Sequence, residues 1–260
     1  MSTSPLPGYD VRPFEGPLRG GFNATHDVYE RGEGPPVILI QELPGIGPET
    51  LRLADRLVEA GFRVVMPHLF GPLGRVAIAS NTVRVMCMRR EFDMFSRRRS
   101  SPIVDWLSAL CRDVSTRNEG ADVGVIGMCL TGNFALSLIA EPAVVAAVAS
   151  QPAMPALSRR GLQLAPDEIR ASRAALDRCG PMLALRFERD PLCPAGRFEA
   201  IETAFNGDGQ RRVETETLPG RGHSVLTLDF VDEAGHPTRE ALVRVLRYFG
   251  ERLRATEETS

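Results

Sequence analysis

Apolar residues cluster in short, nearly unbroken runs: VILI from Val37 to Ile40, RVVMP from Arg63, VGVI from Val123 to Ile126, and AAVAS from Ala146. Runs of this length, rich in β-branched residues and apolar at consecutive positions, predict strands buried on both faces of a parallel sheet. PMLALRF from Pro181 and VETETL from Val213 extend the series. Between the runs the period changes. Leu51, Ala54, Leu57 and Val58 recur at helical spacing from about Pro48 to Ala60, and Gly61 stands at the expected C-cap. A helix-like segment from Ile103 to Cys111 precedes VGVI, and another follows Cys129. Leu242, Val245, Leu246 and Phe249 mark one face of an amphipathic helix from about Pro237 to Leu253.

This alternation predicts an α/β fold in which helices cover both faces of a mostly parallel central sheet. The core is expected over residues 37–253. Residues 1–36 are expected to supply antiparallel edge strands around Arg12–Phe14 and Thr25–Tyr29. Ala153–Arg178 is rich in helix formers and reads either as a cover over a site or as a crossover helix. No repeat, low-complexity tract or linker divides the 260 residues, so a single domain is expected.

Composition narrows the function class. Hydrophobic residues at 43% and charged residues at 25% are those of an ordinary globular protein. A net charge of -2 and a pI of about 6.1 give no field to hold nucleic acid or an anionic membrane. Small molecules are the expected partners, with a monomer or small homo-oligomer as the assembly. The N-terminal MSTSPLPGYDVRPFEG lacks a basic stretch followed by an apolar core, and no apolar run reaches the roughly 20 residues of a membrane span. A cytoplasmic location is expected. Cys87, Cys111, Cys129, Cys179 and Cys193 include no CxxC pair, which points to reduced thiols and away from a zinc site or a disulfide framework.

The chemistry is concentrated in VGVIGMCLTGNFALSLIA, where an apolar strand runs through Gly127, Met128, Cys129, Leu130, Thr131 and Gly132 into an apolar helix. A strand-to-helix turn of this kind, a nucleophile elbow, holds its central side chain clear of the sheet and requires small neighbours. The helix N-terminus behind Cys129 favours a thiolate there, and the Leu130 amide points the same way as an oxyanion donor. Thr131 stands where the elbow pattern has glycine. A β-branched residue fits a strained turn poorly, so an altered elbow is expected, with Gly132 taking up part of the backbone demand.

Two later segments complete a constellation. Asp190 follows a strand in ERDPLCP, and His223 lies in the glycine-flanked loop PGRGHS. Cysteine, aspartate and histidine thus occur in the order used by α/β-hydrolases, at intervals of 61 and 33 residues that each leave room for βα units. All three fall at predicted C-terminal strand ends, where open α/β sheets bind ligands. Taken singly, Cys129 reads as a buried cysteine, Asp190 as a turn former beside proline and His223 as a loop histidine; their joint placement favours catalysis. Such a set needs no metal or organic cofactor, because it supplies its own nucleophile, base and oxyanion donors. A lactone or activated ester suits a cysteine better than an amide, since its alkoxide leaves without strong protonation. The rival reading is a non-catalytic or redox-sensing protein that uses Cys129 as a reactive thiol.

On these motifs the chain resembles the dienelactone hydrolase family of the α/β-hydrolase superfamily from about Val37 to Leu253. GMCLTG parallels the family's cysteine elbow, and RDPLCP and GRGHS parallel its aspartate and histidine segments. QELPGI supplies Gln41 and Glu42 at the end of the first core strand. The resemblance implies an ester- or lactone-cleaving enzyme with Cys129, His223 and Asp190 as triad. It also implies that Glu42 holds the thiol at rest and that the Leu43 amide is the second oxyanion donor. Phe92, Asp93 and Met94 match a further family segment. The arginines that clasp a substrate carboxylate in well-known members do not carry over. One belongs four residues after the histidine, where this chain has Thr227, and Arg84, Arg89 or Arg90 is left as a replacement for the other. Arg97, Arg98 and Arg99 form a basic run of the kind that is usually solvated.

Overall fold

A computed structural model describes residues 4–87, 89–92, 99–153 and 161–253. Among them eight strands form one sheet: β1 (Asp10–Leu18), β2 (Phe22–Arg31), β3 (Pro36–Ile40), β4 (Arg63–Pro67), β5 (Val123–Met128), β6 (Val144–Ser150), β7 (Met182–Phe187) and β8 (Val213–Leu218). Their order is β1-β2-β4-β3-β5-β6-β7-β8. β1 pairs antiparallel with β2 and β2 antiparallel with β4, while β4, β3, β5, β6, β7 and β8 run parallel. The two N-terminal strands are longer than the sequence pattern indicated, and of these two only β1 is an edge strand, because β2 is flanked by β1 and β4.

The helices are α1 (Pro48–Glu59), α2 (Ile78–Cys87), α3 (Arg89–Phe92), α4 (Ile103–Arg117), α5 (Gly132–Leu138), α6 (Pro166–Cys179), α7 (Ala195–Asn206) and α8 (Pro237–Leu253). α2, α3 and α7 were not anticipated from periodicity. Within β3, Val37 and Leu39 belong to one core with Leu53 and Leu57 of α1 and Val245 and Phe249 of α8; Ile38 and Ile40 belong to the other, with Leu107 and Leu110 of α4 and Phe134 of α5. The strand alternation therefore feeds two layers. α6 is a crossover helix on the second face: Leu176 joins its core, and Ser172 Oγ donates to the Leu136 carbonyl of α5 at 2.9 Å.

β3 lies between β4 and β5, so the chain leaves it first to one side and then to the other. Ligands bind beyond the C-terminal strand ends at such a switch point. Glu42 follows β3 there, and Cys129 follows β5. No helix among the described residues is long and apolar enough to cross a membrane.

Phe249 is fully buried, its ring 6.2 Å from that of Phe62. Phe249→Ala is expected to lower unfolding free energy by about 3–5 kcal/mol, the usual cost of emptying an aromatic core position. Urea titration at neutral pH measures this, and a loss below about 1 kcal/mol would mean that α8 does not hold this face of the sheet.

Candidate active site

Cys129 follows directly on β5 with φ at +56° and is only 5% exposed. Residues Cys129–Thr131 form a single 3₁₀ turn that runs directly into α5. Turning from strand to helix in so few residues forces a left-handed conformation on the cysteine, at a cost of roughly 1–2 kcal/mol. Gly127 makes the turn sterically feasible, because a Cβ there would stand 2.1 Å from the Thr131 carbonyl oxygen.

The expected distortion at Thr131 is absent. Its φ of -76° and ψ of -12° are ordinary helical values. The Thr131 hydroxyl accepts from the Met128 amide at 2.9 Å and lies 2.9 Å from the Met128 carbonyl, so it closes the turn. Gly132 is also right-handed, with φ -57° and ψ -31°, and gives no conformational relief. Its value is clearance: a Cβ would lie 3.0 Å from Ser150 O and Pro152 Cα at the end of β6.

Asp190 lies in the loop after β7 with its side chain fully buried. Its Oδ1 accepts the backbone amides of Leu192 and Cys193, both at 2.8 Å, and both carboxylate oxygens face His223 Nδ1 at 2.8–2.9 Å. The histidine backbone is itself fixed, since Asp229 Oδ2 accepts the amides of His223 at 2.7 Å and Ser224 at 2.9 Å. When the ring is neutral, Nδ1–H donating to the carboxylate leaves the lone pair on the other nitrogen. That atom, Nε2, is buried and has no hydrogen bond of normal geometry among the described residues. Burial by itself lowers the His223 pKa. The Asp190 hydrogen bond and then the Cys129 thiol outweigh it and raise the pKa to about 10. The structure thus brings Cys129, His223 and Asp190 together.

Glu42 is 1% exposed and adjoins this set. Its Oε1 accepts from Thr227 Oγ1; its Oε2 accepts from Ser224 Oγ at 3.0 Å and Gln151 Nε2 at 3.5 Å. No hydrogen bond joins it to Cys129 among the described residues. Burial pushes its pKa up against the pull of the Thr227 and Ser224 hydroxyls and of His223. Its partner Gln41 turns elsewhere and fixes the next loop, with Nε2 donating to Phe70 O and Oε1 accepting from Leu69 N, both at 2.9 Å. Leu43 is half-buried, and its carbonyl accepts from Asn81 Nδ2 of α2 at 3.0 Å. Leu130 occupies the first turn after the elbow, where helical N–H groups lack an internal acceptor.

Sequence reasoning missed Ser224, Asp229, Gln151 and Asn81. Asp229 had a signal, since a carboxylate a few residues beyond a loop histidine can cap its amides. Thr227 had registered only as a missing arginine. Gln151 gave none: it is fully buried just beyond β6, with φ at +35°. Of the arginines considered for a substrate carboxylate, Arg84 is exposed on α2, and Arg99 is exposed. Asp93, Met94, Arg97, Arg98 and the side chains of Arg89 and Arg90 lie outside the described residues, whereas Phe92 is buried against Phe70 and Phe134. Among the described residues no three His, Cys, Asp or Glu side chains are grouped to hold a metal ion.

The family model for dienelactone hydrolases matches residues 22–253. The chain belongs to the dienelactone hydrolase family. Similar solved structures include a Klebsiella pneumoniae protein assigned as a dienelactone hydrolase, 18% identical with a TM-score of 0.64, with 93% of this chain and 99% of that one covered. A dienelactone hydrolase-like promiscuous phosphotriesterase from metagenomic libraries is 16% identical with a TM-score of 0.62, over 94% and 99%. The Pyrococcus furiosus esterase Pf2001 is 12% identical with a TM-score of 0.60, over 94% and 91%. At these identities the likeness establishes the α/β-hydrolase fold. A search of curated proteins gives no match.

Two outcomes follow from the site's electrostatics. A histidine whose folded pKa is raised from 6.5 to about 10 stabilises the fold fully below about pH 6.5 and loses that contribution as pH rises through about 10. The stability gap between wild type and Asp190→Asn should therefore narrow by ~2 kcal/mol between pH 6 and pH 10 in chemical unfolding. A constant gap would show that Asp190 does not act through the imidazolium. Thr227→Val removes a donor from a buried carboxyl oxygen and should cost about 1–3 kcal/mol at neutral pH. Glu42→Gln keeps the shape, needs no charge, and should cost less than Thr227→Val in the same titration.

Proposed function

We propose that this member of the dienelactone hydrolase family cleaves an ester or enol-lactone bond of a small molecule through an acyl-enzyme on Cys129. Family membership makes the chain a hydrolase of the ester or lactone type. The observation that carries the finer reading is His223, bonded through Nδ1 to Asp190, with Nε2 buried and otherwise unpartnered and the thiol of a left-handed elbow cysteine close enough to raise the ring's pKa.

In this mechanism the Cys129 proton rests on His223 Nε2, and Sγ attacks the carbonyl carbon as a thiolate. The amides of Leu43 and Leu130 bear the oxyanion. The carbonyl re-forms, the C–O bond breaks, and His223 returns the proton to the leaving alkoxide. Water then attacks the thioester, gives its proton to His223, and the acid departs as the thiolate is restored. Asp190 holds the imidazole tautomer throughout. Glu42, in this reading, governs the resting site: bonded to Ser224 and Thr227, it ties the end of β3, with the Leu43 amide, to the loop that bears His223. The burial of Cys129 supports a nucleophile shielded from oxidants over a sensor thiol open to them.

The test is hydrolysis of p-nitrophenyl acetate with intact-protein mass spectrometry. Wild type should turn over and carry an acetyl group on Cys129. Cys129→Ala should lose the adduct, and His223→Ala should lose at least about 100-fold in acylation rate. An acetyl group that persists in Cys129→Ala, or a wild type inert toward both aryl esters and enol lactones, would overturn the assignment.

A further inference from the structure

Arg186 is the penultimate residue of β7 and faces the same side of the strand as Met182 and Ala184, beneath Phe198 of α7. It is 4% exposed. A buried guanidinium ordinarily has a carboxylate partner, because removing a cation from water is costly. Among the described residues Arg186 has none. Its Nη1 instead donates to the carbonyls of Phe187 at 2.8 Å, Cys193 at 3.0 Å and Glu188 at 3.3 Å, and its Nη2 also reaches the Glu188 carbonyl at 3.3 Å. The Phe198 ring lies 5.5 Å from the guanidinium carbon, and Nε has no partner among the described residues.

These carbonyls bracket the loop that carries Asp190. The Cys193 amide donates to Asp190 Oδ1 while the Cys193 carbonyl accepts from Arg186. The loop is therefore clamped between two buried charged groups. The carboxylate gathers its amides, and the guanidinium gathers its carbonyls from the opposite side. Its start is also tied to the histidine side of the site, since Glu188 N donates to Leu218 O at 2.7 Å and Arg189 N to Gly220 O at 3.1 Å.

We propose that Arg186 is a positioning residue for the reaction, holding the 187–193 loop so that the Asp190 carboxylate meets His223 Nδ1 in register. It touches neither substrate nor reacting atoms, and it acts only through Asp190. The inference rests on the triad reading above for its catalytic consequence, but its structural content concerns Asp190 and His223 alone. A guanidinium reaches three carbonyls at once because its donors are fixed in one plane, whereas an ammonium on a shorter stem reaches fewer. Lysine should therefore replace it in part, and methionine, which fills similar space without donors, should not.

The experiment compares Arg186→Met, Arg186→Lys and wild type, each checked for folding by circular dichroism and thermal melting. The imidazole titration is followed by NMR on histidine-labelled protein, with the His223 signal assigned by its loss in His223→Gln. In Arg186→Met the His223 pKa should fall by about one unit or more as the Asp190 bond loosens. Acylation of Cys129 should slow about tenfold or more with little change in KM. Arg186→Lys should recover part of both. A folded Arg186→Met in which His223 titrates as in wild type would overturn the proposal. If Arg186→Met does not fold, Arg186→Lys decides: an unshifted His223 with wild-type acylation overturns it, and an intermediate shift supports it. Failure of wild type to acylate at Cys129 would sink the triad reading instead, while the His223 titration would still decide whether Arg186 sets the Asp190 contact.

Discussion

The site depends on one backbone constraint, the left-handed conformation of Cys129 between β5 and α5. That conformation turns the side chain away from the pleat, and the rest of the elbow exists to make it affordable. Gly127 leaves room for the returning Thr131 carbonyl, and Gly132 lets the first turn of α5 lie against the end of β6. The loop after β6 is fastened in return: Ala153 N donates to Cys129 O, and Asn133 Nδ2 donates to the carbonyls of Leu130 and Ala153. The strain at one residue is thus balanced by hydrogen bonds and packing spread over two strands and a helix.

Around the elbow the protein places two buried carboxyl groups in different settings. Asp190 is met by two amides and an imidazole, and so fixes the histidine ring from one side. Glu42 is met by two hydroxyls and a side-chain amide, and burial raises its pKa. Carboxyl groups in unlike surroundings can take unlike roles within one site. In the proposed mechanism the first orients the base. The second joins the β3 end to the histidine loop through Ser224 and Thr227.

Much of this was legible along the chain. Parallel-sheet strands are apolar on consecutive positions, so β3 and β5 to β7 were visible as runs, and the cysteine, aspartate and histidine each followed one of them or the strand β8. α2, α3 and α7 were not visible. α2 exposes Ile78 and Val83 at positions that break an amphipathic stripe, and α7 buries Arg197 together with Phe198 and Ile201, so neither face separates by polarity. The role of Thr131 was misjudged for a related reason. A sequence shows the branched side chain but not that its hydroxyl closes the turn onto Met128.

The sequence by itself determined the fold class, the order of the strands along the chain and which cysteine, aspartate and histidine to propose as a triad, because hydrophobic period and chain order are local or one-dimensional properties. Tertiary structure alone decided what surrounds them. Thr227 and Ser224 reach Glu42 across more than 180 residues of chain, and Arg186 grips the Asp190 loop through backbone carbonyls that carry no residue identity. Bonds to backbone leave no pattern in the side chains they serve, and contacts between distant segments exist only once the sheet has set its neighbours side by side.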